Sequence, residues 1–195
     1  LNRLACCLAL SGQQPEALRL LREALAMEQR LYKGDHVRVA ASLTSLAVCL
    51  KSLGKVNEAL PLIQQALEMR QRLHKGDHPQ VVNCLTGAAH CLKSLGRENE
   101  ALPLFQQALE MNQRLLKGDH VDIQKGLNDV ALCLESVGRG SEALPFYRKR
   151  LEMLRRLQPG DHGDVVTSLS NLGTYLVSLG QPNEALPLLR QALEM

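Results

Sequence analysis

The apolar residues of this chain alternate between two helical templates. One series runs Val39, Ala40, Leu43, Leu46, Ala47, Leu50 and Leu53; the next runs Ala59, Leu60, Leu62, Ile63, Ala66, Leu67 and Leu73. Steps of three and four residues put each series on one face of a helix, with polar residues opposite. Gly54 closes the first series, at the C′ position where glycine enters the left-handed region without steric cost. Asn57 and Glu58 predict a cap and an acidic first turn for the second helix. Arg70, Arg72 and Lys75 crowd its far end, where cations complement the helix dipole, and Gly76 stops it. Asp77 or His78 then caps the following helix, which has Pro79 in its first turn. Pro61 falls about one turn into the second helix, where it removes at most one backbone hydrogen bond. The predicted unit is helix–turn–helix.

This unit repeats. Gly12, Gly54, Gly96, Gly138 and Gly180 are each 42 residues apart, and so are the Gly-Asp-His triplets starting at Gly34, Gly76, Gly118 and Gly160. A period in this range predicts an all-α solenoid, in which each helix pair buries its apolar stripe against its neighbours. The whole chain, 1–195, reads as one array: a partial repeat at 1–36, full repeats at 37–78, 79–120 and 121–162, and a truncated repeat at 163–195. Neither end carries a polar capping helix, so the array is expected to be a piece of a longer one or to pack its ends on something.

The packing positions carry a resemblance. Leu46-Ala47, Ala59, Ile63 and Ala66, with Leu50 where tyrosine is frequent, match a tetratricopeptide repeat, and EALPL, ALEM and KGDHP at 42-residue spacing resemble its long kinesin-light-chain type. The resemblance implies a right-handed superhelix of antiparallel helix pairs, a TPR superhelix, with the first helix of each pair lining a concave groove. It implies a non-catalytic protein–protein interaction scaffold that holds a peptide segment of a partner in that groove. Alternatives are self-association through the solenoid ends or edges, and a regulatory appendage of a larger enzyme or switch protein. Two positions depart from the pattern. Arg150 stands where Ala66, Ala108 and Ala192 stand in the other repeats, so its charge must snorkel or find a carboxylate. The Asn-Asn pair favoured in the first helix of kinesin light chains is here Thr44-Ser45, Thr86-Gly87, Asn128-Asp129 and Ser170-Asn171.

Internal comparison locates the candidate site. Residues 54–78 and 96–120 match at about four-fifths of positions, whereas the first helices 37–53 and 79–95 match at about half. Both helices face similar packing demands, so the excess variation marks a face released from packing. The candidate peptide-binding residues on it are Thr44, Val48, Lys51, Asn83, Thr86, His90, Lys93, Lys125, Asn128, Asp129, Asn171 and Thr174. Arg3, Lys51, Lys93 and Lys125 favour an acidic segment or a C-terminal carboxylate at the N-terminal end, while Asp129 and Glu135 oppose them further on.

Composition narrows the alternatives. A net charge of +3 is too small to argue for nucleic acid, and no apolar run approaches the ~18 residues of a membrane span. Cys7, Cys49, Cys91 and Cys133 occupy one repeat position, with Tyr175 in the last copy. Neighbouring repeats are about 10 Å apart, too far for a disulfide, so these cysteines are expected to be small buried hydrophobes in a reducing, cytoplasmic compartment. Cys6 and Cys84 lie outside that pattern. The Asp-His pairs are a full repeat apart and cannot converge on one metal ion. No nucleophile–base set or phosphate loop is legible, so no enzyme activity, cofactor or metal is expected.

Overall fold

The computed structural model describes residues 13–158 and 162–195, and every regular element among them is a helix. In chain order these are α1 (Gln14–Leu31), α2 (Val37–Ser52), α3 (Val56–Leu73), α4 (Pro79–Ser94), α5 (Glu98–Leu115), α6 (Val121–Ser136), α7 (Gly140–Leu157), α8 (Gly163–Ser178) and α9 (Pro182–Glu194). The even-numbered helices are the first members of the pairs. The chain forms two compact units, Leu1–Met111 and Asn112–Met195. In unit 1, α2 packs on both α1 and α3, and α3 packs on α4; in unit 2, α7 packs on both α6 and α8, and α8 packs on α9. Within each unit these helices thus cover their sequence neighbours, the arrangement of an all-α solenoid repeat.

Small residues let these helices approach. Ala59, Ala66, Ala88 and Ala89 in unit 1 are completely buried, as are Val130, Ala131 and Ala143 in unit 2. Leucines at the neighbouring positions, such as Leu43, Leu85, Leu127 and Leu169, fill the space between them. Cys49, Cys84, Cys91 and Cys133 are buried thiols outside any disulfide, as small hydrophobes should be; Cys6 and Cys7 lie outside the described residues.

The turns follow one design. Gly54 adopts φ 73° after α2, and the N–H of Lys55 reaches back to the carbonyl of Leu50 at 2.9 Å, which ties off a helix end that would otherwise leave carbonyls unpaired. The same geometry recurs at Gly96 and Gly138. At the other turn the choice between aspartate and histidine as cap falls to histidine. The Nδ1 atoms of His36, His78 and His120 accept from the backbone N–H of Arg38, Gln80 and Asp122 at 3.1–3.2 Å. Asn57, by contrast, is no cap. The N-cap of α3 is Lys55, without a side-chain bond, and Glu58 pairs with that lysine and with Arg22. The Gly-x-x-x-Glu spacing therefore supplies an ion pair at the helix start, repeated as Arg97–Glu100 and Arg139–Glu142.

Candidate functional site

The first helices present the candidate residues at three depths. Val48, Asn83, Lys125 and Thr174 are exposed. Lys51, Thr86, His90, Lys93, Asn128, Asp129 and Asn171 are half-buried, and so is Thr44. Residues one step away on the same helices, such as Leu43, Cys84, Leu127 and Leu172, are buried, so the face is bounded by core.

In unit 1, α2 and α4 touch, and this contact brings Thr44 to the α4 face. The Thr44 hydroxyl donates to the Ala40 carbonyl at 2.8 Å and lies 3.7 Å from the Cys84 sulfur. Its proton is thus donated within its own helix, while the oxygen keeps acceptor capacity. Cys84 is fully buried here, and burial pushes its thiol up, so it is an inert core thiol. Arg70 rises from α3 to the same spot, buried, with Nε unpartnered, and its charge acts on Cys84. Lys51, at the end of α2, lies close enough to Cys91 of α4 to act on that thiol. The His90 ring packs edge-on against Phe105 at 4.9 Å, which anchors one side of an otherwise half-exposed imidazole. Gly87 sits opposite Ile63, whose side chain is 3.3 Å from where a Cβ would stand. This variable position is set by packing on α3, so variation alone does not mark a released face.

In unit 2 the corresponding face is chemically different. Glu135, on the same repeat row as Lys51 and Lys93, is exposed, and its carboxylate accepts a 2.8 Å hydrogen bond from the buried Tyr147 hydroxyl. Burial first and then that bond raise the Tyr147 phenol, which stays a neutral donor. Tyr175 packs on Tyr147 with ring centroids 5.1 Å apart, and its own buried hydroxyl has no partner. Glu135 was legible by repeat arithmetic; its tyrosine support was not. Arg150 is 6% exposed, and its Nε and Nη1 atoms are buried without partners. Burial lowers its proton affinity, and only the fields of Asp164, Tyr147 and Asp129 oppose that.

Away from this face, two arginines near the ends of second helices pair with specific anions. Arg72 binds Asp35 through Nε and Nη2, and Arg156 binds Asp119 in the same way. The Gly-Asp-His triplets at Gly34 and Gly118 therefore divide their work, with the glycine turning the chain at positive φ after a helix, the histidine capping the next helix and the aspartate holding an arginine; His162, in the last copy, makes no side-chain cap bond. The stacked rings of His74 and His78, 3.6 Å apart, belong to this turn, and among the described residues no group of three or more His, Cys, Asp or Glu could hold a metal ion. No helix among the described residues is long and apolar enough to cross a membrane. Arg3 lies outside the described residues.

Comparison with known proteins agrees with this geometry. The chain is similar to the kinesin-light-chain TPR-like repeats of Podosopora anserina, at 23% identity over 99% of this chain and 92% of that one, with a TM-score of 0.89. It is similar to BtubC of P. vanneervenii, at 22% identity over 98% of this chain and 76% of that one, with a TM-score of 0.87. It is also similar to YrrB, a TPR protein with an unusual peptide-binding site, at 18% identity over 98% of this chain and 82% of that one, with a TM-score of 0.67. No curated protein matches. The sequence profile of the tetratricopeptide repeat matches residues 1–71, 39–114 and 122–195. Repeats on a fixed step, stacked helix pairs and that match together place the chain in the tetratricopeptide repeat family.

Proposed function

We propose that the protein is a non-catalytic interaction scaffold whose first-helix face binds a peptide segment of a partner. The observation that carries this reading is the solvent-facing row on α2 and α4, with Val48 and Asn83 exposed beside half-buried Lys51, Thr86, His90 and Lys93. An extended peptide laid along such a face meets polar side chains for its backbone and a half-buried floor for its apolar groups. YrrB, which shares the fold, has a peptide-binding site, and this supports the reading. In unit 1 the preferred ligand is acidic. The helices α2 and α4 carry Arg38, Lys51 and Lys93 with no aspartate or glutamate, and neither Lys51 nor Lys93 is paired with a carboxylate among the described residues.

The test is a peptide-display selection on the protein, run beside a variant carrying Asn83→Ala, His90→Ala and Lys93→Ala. Circular dichroism of both samples checks that the substitutions leave the helices intact. Peptides that bind the parent and not the variant, enriched in Asp and Glu, are the expected result. Equal binding by both, or no enrichment on folded protein, would sink the proposal.

A further inference from the structure

The two units differ in the charge of their first helices. Against the purely cationic α2 and α4, the helices α6 and α8 carry Asp122, Asp129, Glu135 and Asp164 with Lys125 as their one lysine or arginine. From the helix beneath, the buried Arg150 acts on Asp129 and Asp164, so those two carboxylates are in part compensated. The other cations of α7 are directed elsewhere: Arg148 to Glu184, Arg155 to Gln191 and Arg156 to Asp119. Lys149 is exposed.

Glu135 is the carboxylate that remains exposed and oriented. It projects from the last turn of α6, and one of its oxygens is held by the Tyr147 hydroxyl. A buried donor on an exposed carboxylate costs conformational freedom of that side chain in the free protein, so a ligand need not order it on binding. Beside it Tyr175 is 4% exposed, its hydroxyl is unpartnered, and the field of Glu135 reaches it. A buried hydroxyl without a partner is an unmet acceptor and donor. It stands over Gly140, at the start of α7, where any Cβ would collide with it. That hydroxyl is covered, so the group open to a ligand here is the oriented Glu135 carboxylate, which fits a group with several N–H donors.

We propose that the first-helix face of unit 2 binds a basic segment of a partner protein, with one lysine or arginine side chain seated on Glu135. The proposal rests on the reading of the first helices as the binding face, and adds to it a ligand chemistry opposite to that of unit 1. An ammonium or guanidinium donates to the free Glu135 oxygen, in a charge-assisted hydrogen bond at the rim of the face. Peptides preferred by the two units then differ in charge, which is a means of selecting partners by sign.

The probes are two short fluorescent peptides, one alternating Lys and Ser and one alternating Glu and Ser, titrated by anisotropy into the full chain. The variants are Glu135→Gln, Asp164→Asn, and Lys51→Gln combined with Lys93→Gln, each checked for its parent melting profile. The basic peptide is expected to bind saturably and to lose about fivefold in affinity with Glu135→Gln, the effect of one partly exposed ion pair. It should ignore the lysine substitutions. Equal losses with Glu135→Gln and Asp164→Asn would mean diffuse attraction and overturn the seat, as would an affinity that Glu135→Gln leaves unchanged. If the acidic peptide binds and depends on Lys51 and Lys93 while the basic one ignores Glu135, this inference fails and the binding face stands. Binding of neither peptide to folded protein overturns both.

Discussion

Arg72 grips Asp35 across one repeat, with Nε at 2.6 Å and Nη2 at 3.0 Å from the two carboxylate oxygens. The arginine lies near the end of a second helix and the aspartate in the turn that precedes its own repeat, so the pair ties the edges of successive helix pairs. Arg156 and Asp119 repeat the bond two repeats later. The fork geometry satisfies both oxygens at once, which lysine cannot do.

Both partners are largely solvated, so the clamp sets register more than stability. Arg72→Lys and Asp35→Asn should each lower the thermal midpoint slightly, by an amount that shrinks in high salt, and the double variant should lose no more than either single one. The Asp35 carboxyl is held below its ordinary value by the Arg72 hydrogen bond. Its contribution is therefore present above the usual carboxylate range and is lost as pH falls through the folded value. Acid titration of the Asp35→Asn protein should show a smaller loss in that range.

Arg150 is a cost to the fold. Two buried donors without partners outweigh the attraction of Asp164 and Asp129, since burial is the largest influence on its proton affinity. Arg150→Met, which keeps much of the volume, should stabilise the chain by about 1–3 kcal/mol. Arg150→Ala restores the residue of the other repeats but leaves a void, and should gain less. Urea unfolding of the three proteins checks the order.

Gly140 and Tyr175 are matched. Tyr175 fills a position that is cysteine in the earlier repeats, and its hydroxyl occupies the space that a Cβ at residue 140 would need. Gly140→Ala should cost about 1–3 kcal/mol from overpacking. Tyr175→Phe removes an unpartnered hydroxyl and should be close to neutral. Together they should show a cost smaller than that of Gly140→Ala alone, a coupling that a double-mutant cycle measures.

The His78 cap makes the fold sensitive to mild acid. A cap acting through Nδ1 needs that nitrogen unprotonated, and His78 is held below its ordinary value by burial first, then by His74 and Arg70. A lowered folded value means that its contribution is present above the unfolded value near 6.5 and is lost as pH falls through the folded one. The melting temperature should drop over that interval. His78→Asn, which caps without titrating, should flatten the profile, while His78→Ala should cost about 1 kcal/mol at neutral pH.

The solenoid could be read from the chain because its determinants are local and repeated. Apolar steps of three and four, glycine at each helix end and the 42-residue period each constrain the backbone within a few turns. The candidate binding rows were legible for the same reason: Val48, Asn83, Lys125 and Thr174 follow from the period and are exposed. Errors arose where the period was silent about partners. Asn57 looked like a cap by type, but Lys55 occupies that position. Nor does the period show that the Thr44 hydroxyl donates to the Ala40 carbonyl.

By itself the sequence determined which segments are helices, where they end, and that they pair with their chain neighbours, because backbone sterics and apolar periodicity act over a few residues. Tertiary structure decided which charges meet. Arg72 reaches back 37 residues to Asp35, Tyr147 turns Glu135 into an oriented carboxylate, and Arg150 is left with buried donors unpaired. Hydrogen bonds and charge pairs depend on ångström-scale distances between side chains of different helices, and those distances exist only once the helices have packed.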